Sequence, residues 1–60
     1  MIRLSVEQMV EAAAVWELDE ELLSYAEQIQ RVLSVDGDVV EWRDAVEMAY
    51  NELVVPKLFL

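Results

Sequence analysis

The acidic turn VDGD, together with Glu41, which follows it closely, is a candidate group of metal ligands. Carboxylates are the hard oxygen ligands that Ca²⁺ prefers. A calcium-binding EF-hand loop places them at its first and twelfth positions, with a glycine at the sixth. Aligning Gly37 with the sixth position puts Val32 first and Arg43 twelfth. Both required carboxylates are missing, so we expect a glycine turn and a helix N-cap here, without a bound metal.

The sequence lacks most of the residue types that enzymatic catalysis needs. The chain has no histidine and no cysteine, so its serines have no partner base and the usual zinc ligands are missing. Its single glycine excludes a glycine-rich phosphate loop. Paired carboxylates act as acid and base only in a concave site that separates their pKa values, and a small helical bundle has little room for one. The sequence therefore predicts a non-enzymatic protein without a cofactor.

The charge balance favours a protein partner over a nucleic acid or a membrane. Thirteen acidic residues against four basic ones give a formal net charge of −9, which repels nucleic acids and anionic lipids and attracts basic surfaces. The later helix of a DNA-reading helix-turn-helix carries arginine or lysine, whereas here it carries Arg43 alone among several carboxylates. We therefore expect no direct binding of nucleic acid.

Membrane and export signals are also weak. The longest apolar run, AAAVW, is far shorter than the roughly 20 residues that cross a membrane. The amino-terminal stretch MIRLSVEQ lacks the apolar core and the cleavage site of a signal peptide. We therefore expect a cytoplasmic protein that does not contact a membrane.

Capping and spacing signals predict three helices, over residues 6–17, 20–33 and 39–54. Ser5 and Gln8 have the spacing of a capping box for the first helix. Asp19 is the predicted cap of the second helix, and Asp38 is that of the third. Pro56 disfavours helical conformation at the residue before it, so the third helix is expected to end near position 54.

The predicted fold is an all-α, small three-helix bundle in one domain, residues 1–60, with an apolar tail at 56–60. A domain of this length buries only about 60% of its unfolded surface, so its stability is marginal. Without cysteine for a disulfide, the remaining routes to stability are dense helix packing and association, including completion by a homodimer. The apolar stripe of the second helix is Leu22, Tyr25, Ala26, Ile29, Val32 and Leu33. The aromatic residues expected in the core are Trp16, Tyr25, Trp42 and Tyr50.

Apolar residues exceed what so small a bundle is expected to bury, since they make up 57% of the chain. Contiguous exposed apolar surface usually marks an interaction site. The predicted apolar contact residues are Val40, Met48, Leu58, Phe59 and Leu60. Two destinations stay open for the tail, which either folds back onto the core or contacts a partner.

Acidic residues on and before the third helix form a second predicted contact surface. They are Asp36, Asp38, Glu41, Asp44, Glu47 and Glu52. Acidic side chains at a contact surface select basic partners and steer association. A row of carboxylates on a rigid helix also imitates the phosphates of a nucleic acid.

Three functional hypotheses follow. The first is a small acidic module that binds a partner protein and regulates or inhibits it, by analogy with small acidic inhibitors from phage and mobile elements. The second is a nucleic-acid mimic that occupies the basic groove of a nucleic-acid-binding protein. The third is a structural homo-oligomer or a subunit of a larger assembly. The salt dependence of binding separates the first two hypotheses. The affinity of a mimic for its target falls steeply as the salt concentration rises, whereas the affinity of apolar docking does not.

Overall fold

The computed structural model describes residues 4–37 and 39–59, and every regular element within these ranges is a helix. The helices are α1 (Val6–Val15), α2 (Asp19–Val35), α3 (Trp42–Leu53) and the short α4 (Val55–Leu58). The prediction of an all-α fold is confirmed. α3 packs against each of the other helices, and α2 also packs against α1.

The direction of α2 relative to α3 follows from two contacts between them. Tyr25, early in α2, bonds to Glu52, late in α3. Gln30, later in α2, bonds instead to Val40, just before α3. The two helices therefore run antiparallel and form the two walls of any surface between them.

The capping box predicted for α1 is confirmed. The Ser5 hydroxyl oxygen accepts a hydrogen bond from the Gln8 amide at 3.2 Å, and the Gln8 side-chain oxygen accepts one from the Ser5 amide at 2.9 Å. Amides at a helix start have no partner within the helix, so these two bonds satisfy groups that would otherwise need water.

α1 ends in a tight left-handed turn at Glu17, whose φ is 60°. The Leu18 amide donates to the Ala13 carbonyl at 2.8 Å, and the Glu17 amide donates to the Ala14 carbonyl at 3.0 Å. These are the two bonds of a Schellman motif, which satisfies the last carbonyls of a helix. The helix therefore ends at Val15, two residues before the predicted end.

α2 begins one residue earlier than predicted and ends two residues later. Leu18 takes the N-cap position, so the prediction that Asp19 caps this helix is wrong. The turn at the end of α1 already brings Asp19 into helical conformation, where its carboxylate lies near the positive end of the helix dipole. After α2, Gly37 has a φ of 88°, a left-handed conformation that glycine adopts without steric cost.

α3 begins at Trp42, three residues later than predicted, with Glu41 in the N-cap position. Asp38, the predicted cap, lies outside the described residues. A hydrogen bond from another helix accounts for the later start: the Gln30 side chain in α2 donates to the Val40 carbonyl at 3.0 Å. Val40 also packs against the core, so this part of the chain is held beside α2 before α3 can begin.

The carboxyl end of α3 leads directly into α4. Val54 lies between the two helices and is fully buried. Pro56 is near the start of α4, where its missing amide breaks no helical hydrogen bond. The predicted apolar tail therefore begins as a helical turn that Val54 anchors to the core.

The core combines four large side chains with four alanines. Its members are Met9, Leu22, Val46, Val54, Ala13, Ala26, Ala45 and Ala49. Small side chains at helix contacts allow the helix axes to approach closely, so this core is thin. The molecule measures 35 × 25 × 19 Å, and the shortest of these dimensions is about two helix diameters.

The aromatic residues divide between the edge of the core and the surface. Tyr25 and Tyr50 are half-buried against the core. Trp16 and Trp42 remain 43% and 40% exposed, so their predicted core positions are wrong. Trp16 follows the last residue of α1 and Trp42 is the first residue of α3. At helix ends, fewer neighbouring helices are present to cover such large side chains.

Candidate partner-binding groove

An apolar groove of about 310 Å³ lies open to solvent between α2 and α3. Its lining residues are Tyr25, Gln28, Ile29, Val32, Leu33 and Met48. Val32 is 62% exposed and Met48 is 44% exposed, so both offer apolar surface for contact. We call this feature the α2–α3 groove.

One face of α2 supplies most of the groove. Tyr25, Gln28, Val32 and Val35 follow one another at spacings of three and four residues, which places them in a stripe along the helix. The buried stripe that contains Leu22 lies beside it. α2 is therefore apolar over more of its circumference than the core covers, and the excess lies in the groove.

A second, more polar hollow of about 240 Å³ continues the groove toward the start of α2. Its lining residues are Glu21, Ser24, Tyr25, Gln28 and Leu53. Tyr25 and Gln28 belong to both hollows, so the two form one continuous surface. Glu21 adds a carboxylate at this end.

The α3 side of the groove combines one apolar residue with several carboxylates. Asp44 precedes Met48 by four residues and Glu52 follows it by four, so the three share one face of α3. Glu41, seven residues before Met48, continues this face to the N-cap. The Tyr25 hydroxyl donates to a Glu52 carboxylate oxygen at 3.5 Å, which places Glu52 at the rim of the groove.

Arg43 forms ion pairs with two of the predicted acidic contact residues. Its guanidinium lies 2.8 Å from a Glu47 carboxylate oxygen and 3.6 Å from one of Asp44. It also donates to the Leu4 carbonyl, from Nε at 3.1 Å and from Nη2 at 2.7 Å. Asp44 and Glu47 are half-buried. This network joins α3 to the chain that precedes α1, so part of the acidic charge on α3 has a structural partner.

The other predicted acidic residues lie in different surroundings. Glu41 and Glu52 are exposed, and within the described part of the chain no arginine or lysine pairs with either of them. Asp36 is exposed at the carboxyl end of α2, where it is the C-cap. Asp38 lies outside the described residues. Glu52 is thus the exposed predicted carboxylate that the structure brings to the groove, and Glu41 lies on the same face of α3, two turns from Met48.

The predicted apolar contact residues do not form one patch. Met48 lines the groove. Val40 is half-buried against the core. Leu58 and Phe59 are exposed at the end of the chain, with Phe59 at 84%, and neither lines the groove. Leu60 lies outside the described residues. Only Met48 and the acidic face around it belong to the candidate site.

Sequence reasoning missed the α2 side of the groove. It assigned Tyr25, Ile29 and Val32 to the apolar stripe of α2. Tyr25 and Ile29 do pack against the core, but all three also line the groove, and Val32 is exposed. The available signal was the width of that stripe. Tyr25 and Val32 lie at its edge, about 60° to 80° around the helix from Leu22, which is fully buried.

No protein-family model, no characterised protein and no solved structure matches this chain. No group of three or more acidic residues in the described ranges is placed to hold a metal ion. Among the helices that the structure describes, none has the length and apolar character needed to cross a membrane. The shape and the charge of the groove are therefore the features of the molecule that indicate its function.

Proposed function

We propose that this protein is a non-enzymatic interaction module that binds another protein and thereby regulates or inhibits it. The observation that carries the proposal is the exposure of Val32 and Met48 in the α2–α3 groove. Removing apolar surface from water contributes about 25 cal/mol per Å². A chain this small has little such energy to spare, so apolar surface that its own core does not use supports binding to a partner.

In this proposal, the carboxylates around the groove determine which partner protein binds. Glu21 lines the hollow at one end, Glu52 stands at the rim, and Glu41 continues the same face of α3. Rim charges act mainly on the rate of association and on the rejection of wrong partners. A partner with basic residues around an apolar contact is the best match. In this proposal α1, α2 and α3 act as a three-helix bundle that holds the two walls of the groove in place.

A homodimer is the second candidate, and the spacing along α2 supports it. Tyr25, Gln28, Val32 and Val35 repeat at alternating intervals of three and four residues, the period at which one helix packs along another in a coiled coil. The solution mass of the chain separates the candidates, since a dimer through this stripe doubles the mass of 6.9 kDa.

Nucleic-acid mimicry receives less support from the arrangement of the carboxylates. Asp44 and Glu47 engage Arg43 and are half-buried, so the guanidinium offsets one of their two charges and the proposed row on α3 is interrupted. A mimic needs an uninterrupted array of exposed charge, because its affinity comes from many simultaneous ionic contacts. The remaining exposed carboxylates border an apolar groove, which matches a mixed apolar and basic partner better.

The test uses two double variants as immobilised baits in extract from cells that express the protein. The first combines Val32→Gln with Met48→Gln in the groove. The control combines Val15→Gln with Val39→Gln, both highly exposed positions outside the groove. Glutamine replaces each apolar side chain with a polar one and leaves the charge unchanged, and circular dichroism verifies that both variants fold.

The expected result is one protein that binds the wild-type chain and the control equally and binds the groove variant about tenfold less. Equal binding to both double variants would place the contact elsewhere. Absence of any protein that binds the wild-type chain would contradict the proposed function itself.

A further inference from the structure

We infer that the natural occupant of the α2–α3 groove is an amphipathic helix of the partner protein, with basic residues at both of its ends. This inference rests on the proposed function and names the partner's recognised element. Two observations lead to it: the groove lies between two antiparallel helices, and both of its ends are acidic.

The shape of the groove suits a helix. Its α2 wall contains Tyr25, Gln28 and Val32, which follow one another at spacings of three and four residues, and Val35 continues the same stripe three residues later. Side chains of a neighbouring helix fit between side chains at this spacing, and an amphipathic helix in a groove presents its anchors at the same intervals. The α2 residues that line the groove and its continuation lie between Glu21 and Leu33, which corresponds to about 18 Å of helix, or three to four turns of contact.

One end of the groove is negative because of side chains from both walls. Glu21 lines the hollow near the start of α2, and Glu52 stands at the opposite rim, bonded to the Tyr25 hydroxyl. Neither carboxylate pairs with an arginine or lysine within residues 4–37 and 39–59. A basic side chain of the occupant would meet two carboxylates here.

The other end is negative for a different reason. The final turn of α2 contains no basic residue, and Arg31, one turn earlier on the helix, is paired with Glu27. Asp36 follows Val32 by four residues, which places it at this end of the groove. Glu41 lies at the start of α3, which is antiparallel to α2 and so begins at the same end.

A second copy of this chain fits that charge pattern poorly. A symmetric dimer brings the same surface of each chain together. Because both ends of the groove are acidic, either orientation of the two α2 helices sets carboxylate against carboxylate. Each chain also has a net charge of −9, which adds general repulsion. Charge complementarity therefore favours a basic helix over a homodimer.

The acidic ends also set the spacing of the occupant's basic residues. Glu21 and Asp36 are 15 positions apart on α2, which is about 22 Å along the helix. A helix lying along this groove would place its two basic clusters about four turns apart. Between them, apolar residues at the i, i+3, i+7 and i+10 spacing would contact the groove.

The experiment uses a synthetic amphipathic peptide of about 18 residues that has this pattern, with leucines at the apolar positions and lysine pairs at both ends. A second peptide has glutamate in place of every lysine, and a third has the same composition as the first without an apolar face. Isothermal titration calorimetry measures the affinity of each peptide for the full chain at about 0.15 M salt.

Two charge variants of the full chain locate the binding site. Glu21→Gln with Glu52→Gln removes two carboxylates at the groove. The control, Glu20→Gln with Glu11→Gln, removes two exposed carboxylates elsewhere, and Glu20 shares the first turn of α2 with Glu21. Both variants change the net charge equally, so any difference in affinity between them is local.

The expected result is binding of the lysine peptide alone. The groove charge variant should weaken it about three- to tenfold, the control charge variant should leave it unchanged, and Val32→Gln with Met48→Gln should weaken it at least about tenfold. Equal weakening by both charge variants would overturn the inference, since the peptide would then respond to net charge alone. Failure of the lysine peptide to bind, or equal binding of the glutamate peptide, would overturn it as well.

Light scattering on the same samples tests the alternative occupant. A dimer of the free chain that dissociates in the Val32→Gln, Met48→Gln variant would overturn the inference in favour of a second copy. The inference and the proposed function fail separately. If the extract experiment identifies a groove-dependent partner that contacts the groove without a basic helix, the function stands and this inference does not.

Discussion

At the scale of single residues, Glu17 is the least suited to its backbone conformation. Its φ of 60° lies in the left-handed region, where a side chain other than that of glycine, asparagine or aspartate costs about 1 kcal/mol or more. Its carboxylate also lies just beyond the last turn of α1, near the negative end of the helix dipole. We expect Glu17→Gly to raise the free energy of unfolding by about 1 kcal/mol, after the greater flexibility of glycine in the unfolded chain is subtracted.

Urea denaturation of wild type, Glu17→Gly and Glu17→Gln measures this effect and separates its two causes. Glu17→Gln removes the charge and keeps the side chain, so we expect it to recover only the electrostatic part, a few tenths of a kcal/mol. A Glu17→Gly protein no more stable than wild type would mean that the turn does not strain the residue.

At the scale of helices, Arg43 links α3 to the segment that precedes α1. It donates twice to the Leu4 carbonyl and contacts Glu47 at 2.8 Å. Its side chain is only 26% exposed, so these bonds are partly protected from water. We expect Arg43→Gln to lower the free energy of unfolding by about 1.5 to 3 kcal/mol, as is usual for hydrogen bonds to charged groups.

Arg31→Gln is the matched control, because it removes the same charge from a different setting. Arg31 pairs with Glu27 at 2.9 Å on the same helix, and both side chains are highly exposed. Exposed pairs at this spacing contribute about 0.3 to 0.5 kcal/mol. Thermal unfolding of both variants measures the difference, and equal losses would show that Arg43 acts as a surface charge only.

The helices also show which local signals were sufficient. Ser5 and Gln8 cap each other through bonds within one turn, so the sequence predicted the start of α1 correctly. The start of α3 follows the hydrogen bond that Gln30 donates to the Val40 carbonyl. Gln30 lies in α2, ten positions before Val40 in the sequence. Glu41 is the N-cap without a side-chain hydrogen bond, so no local pattern marked it. Tertiary contacts of this kind are not visible in local spacing.

At the scale of the whole molecule, stability depends on a thin core. A domain of this length has a free energy of unfolding of about 3 to 9 kcal/mol. Leu22 is fully buried, and replacing such a leucine with alanine costs about 2 to 5 kcal/mol. We therefore expect Leu22→Ala to lower the free energy of unfolding by about 2 to 5 kcal/mol, a large share of the total, as measured by urea denaturation followed by circular dichroism.

Phe59→Ala provides the comparison at the end of the chain. Phe59 is 84% exposed, so its loss should change the free energy of unfolding by less than about 0.5 kcal/mol. A loss of 2 kcal/mol or more would mean that the apolar tail folds over the core, one of the two destinations that the sequence left open.

The candidate site itself was only partly predictable. Met48 could be identified because Asp44 and Glu52 surround an apolar residue on one helical face. Tyr25 and Val32 could not, because a stripe of apolar residues does not indicate how much of its width the neighbouring helix will cover. That depends on the closeness of α2 and α3, which the alanines at their contact set.

The measurement that tests the central claim most directly is the methyl NMR spectrum of the methionines in the full chain. Met48 lines the groove, whereas Met9 is 1% exposed in the core and serves as an internal reference. The spectrum is recorded before and after addition of the protein that binds the wild-type chain in extract. We predict that the Met48 signal shifts or broadens while the Met9 signal keeps its position. A bound complex in which the Met48 signal is unchanged would contradict the assignment of the α2–α3 groove as the binding site.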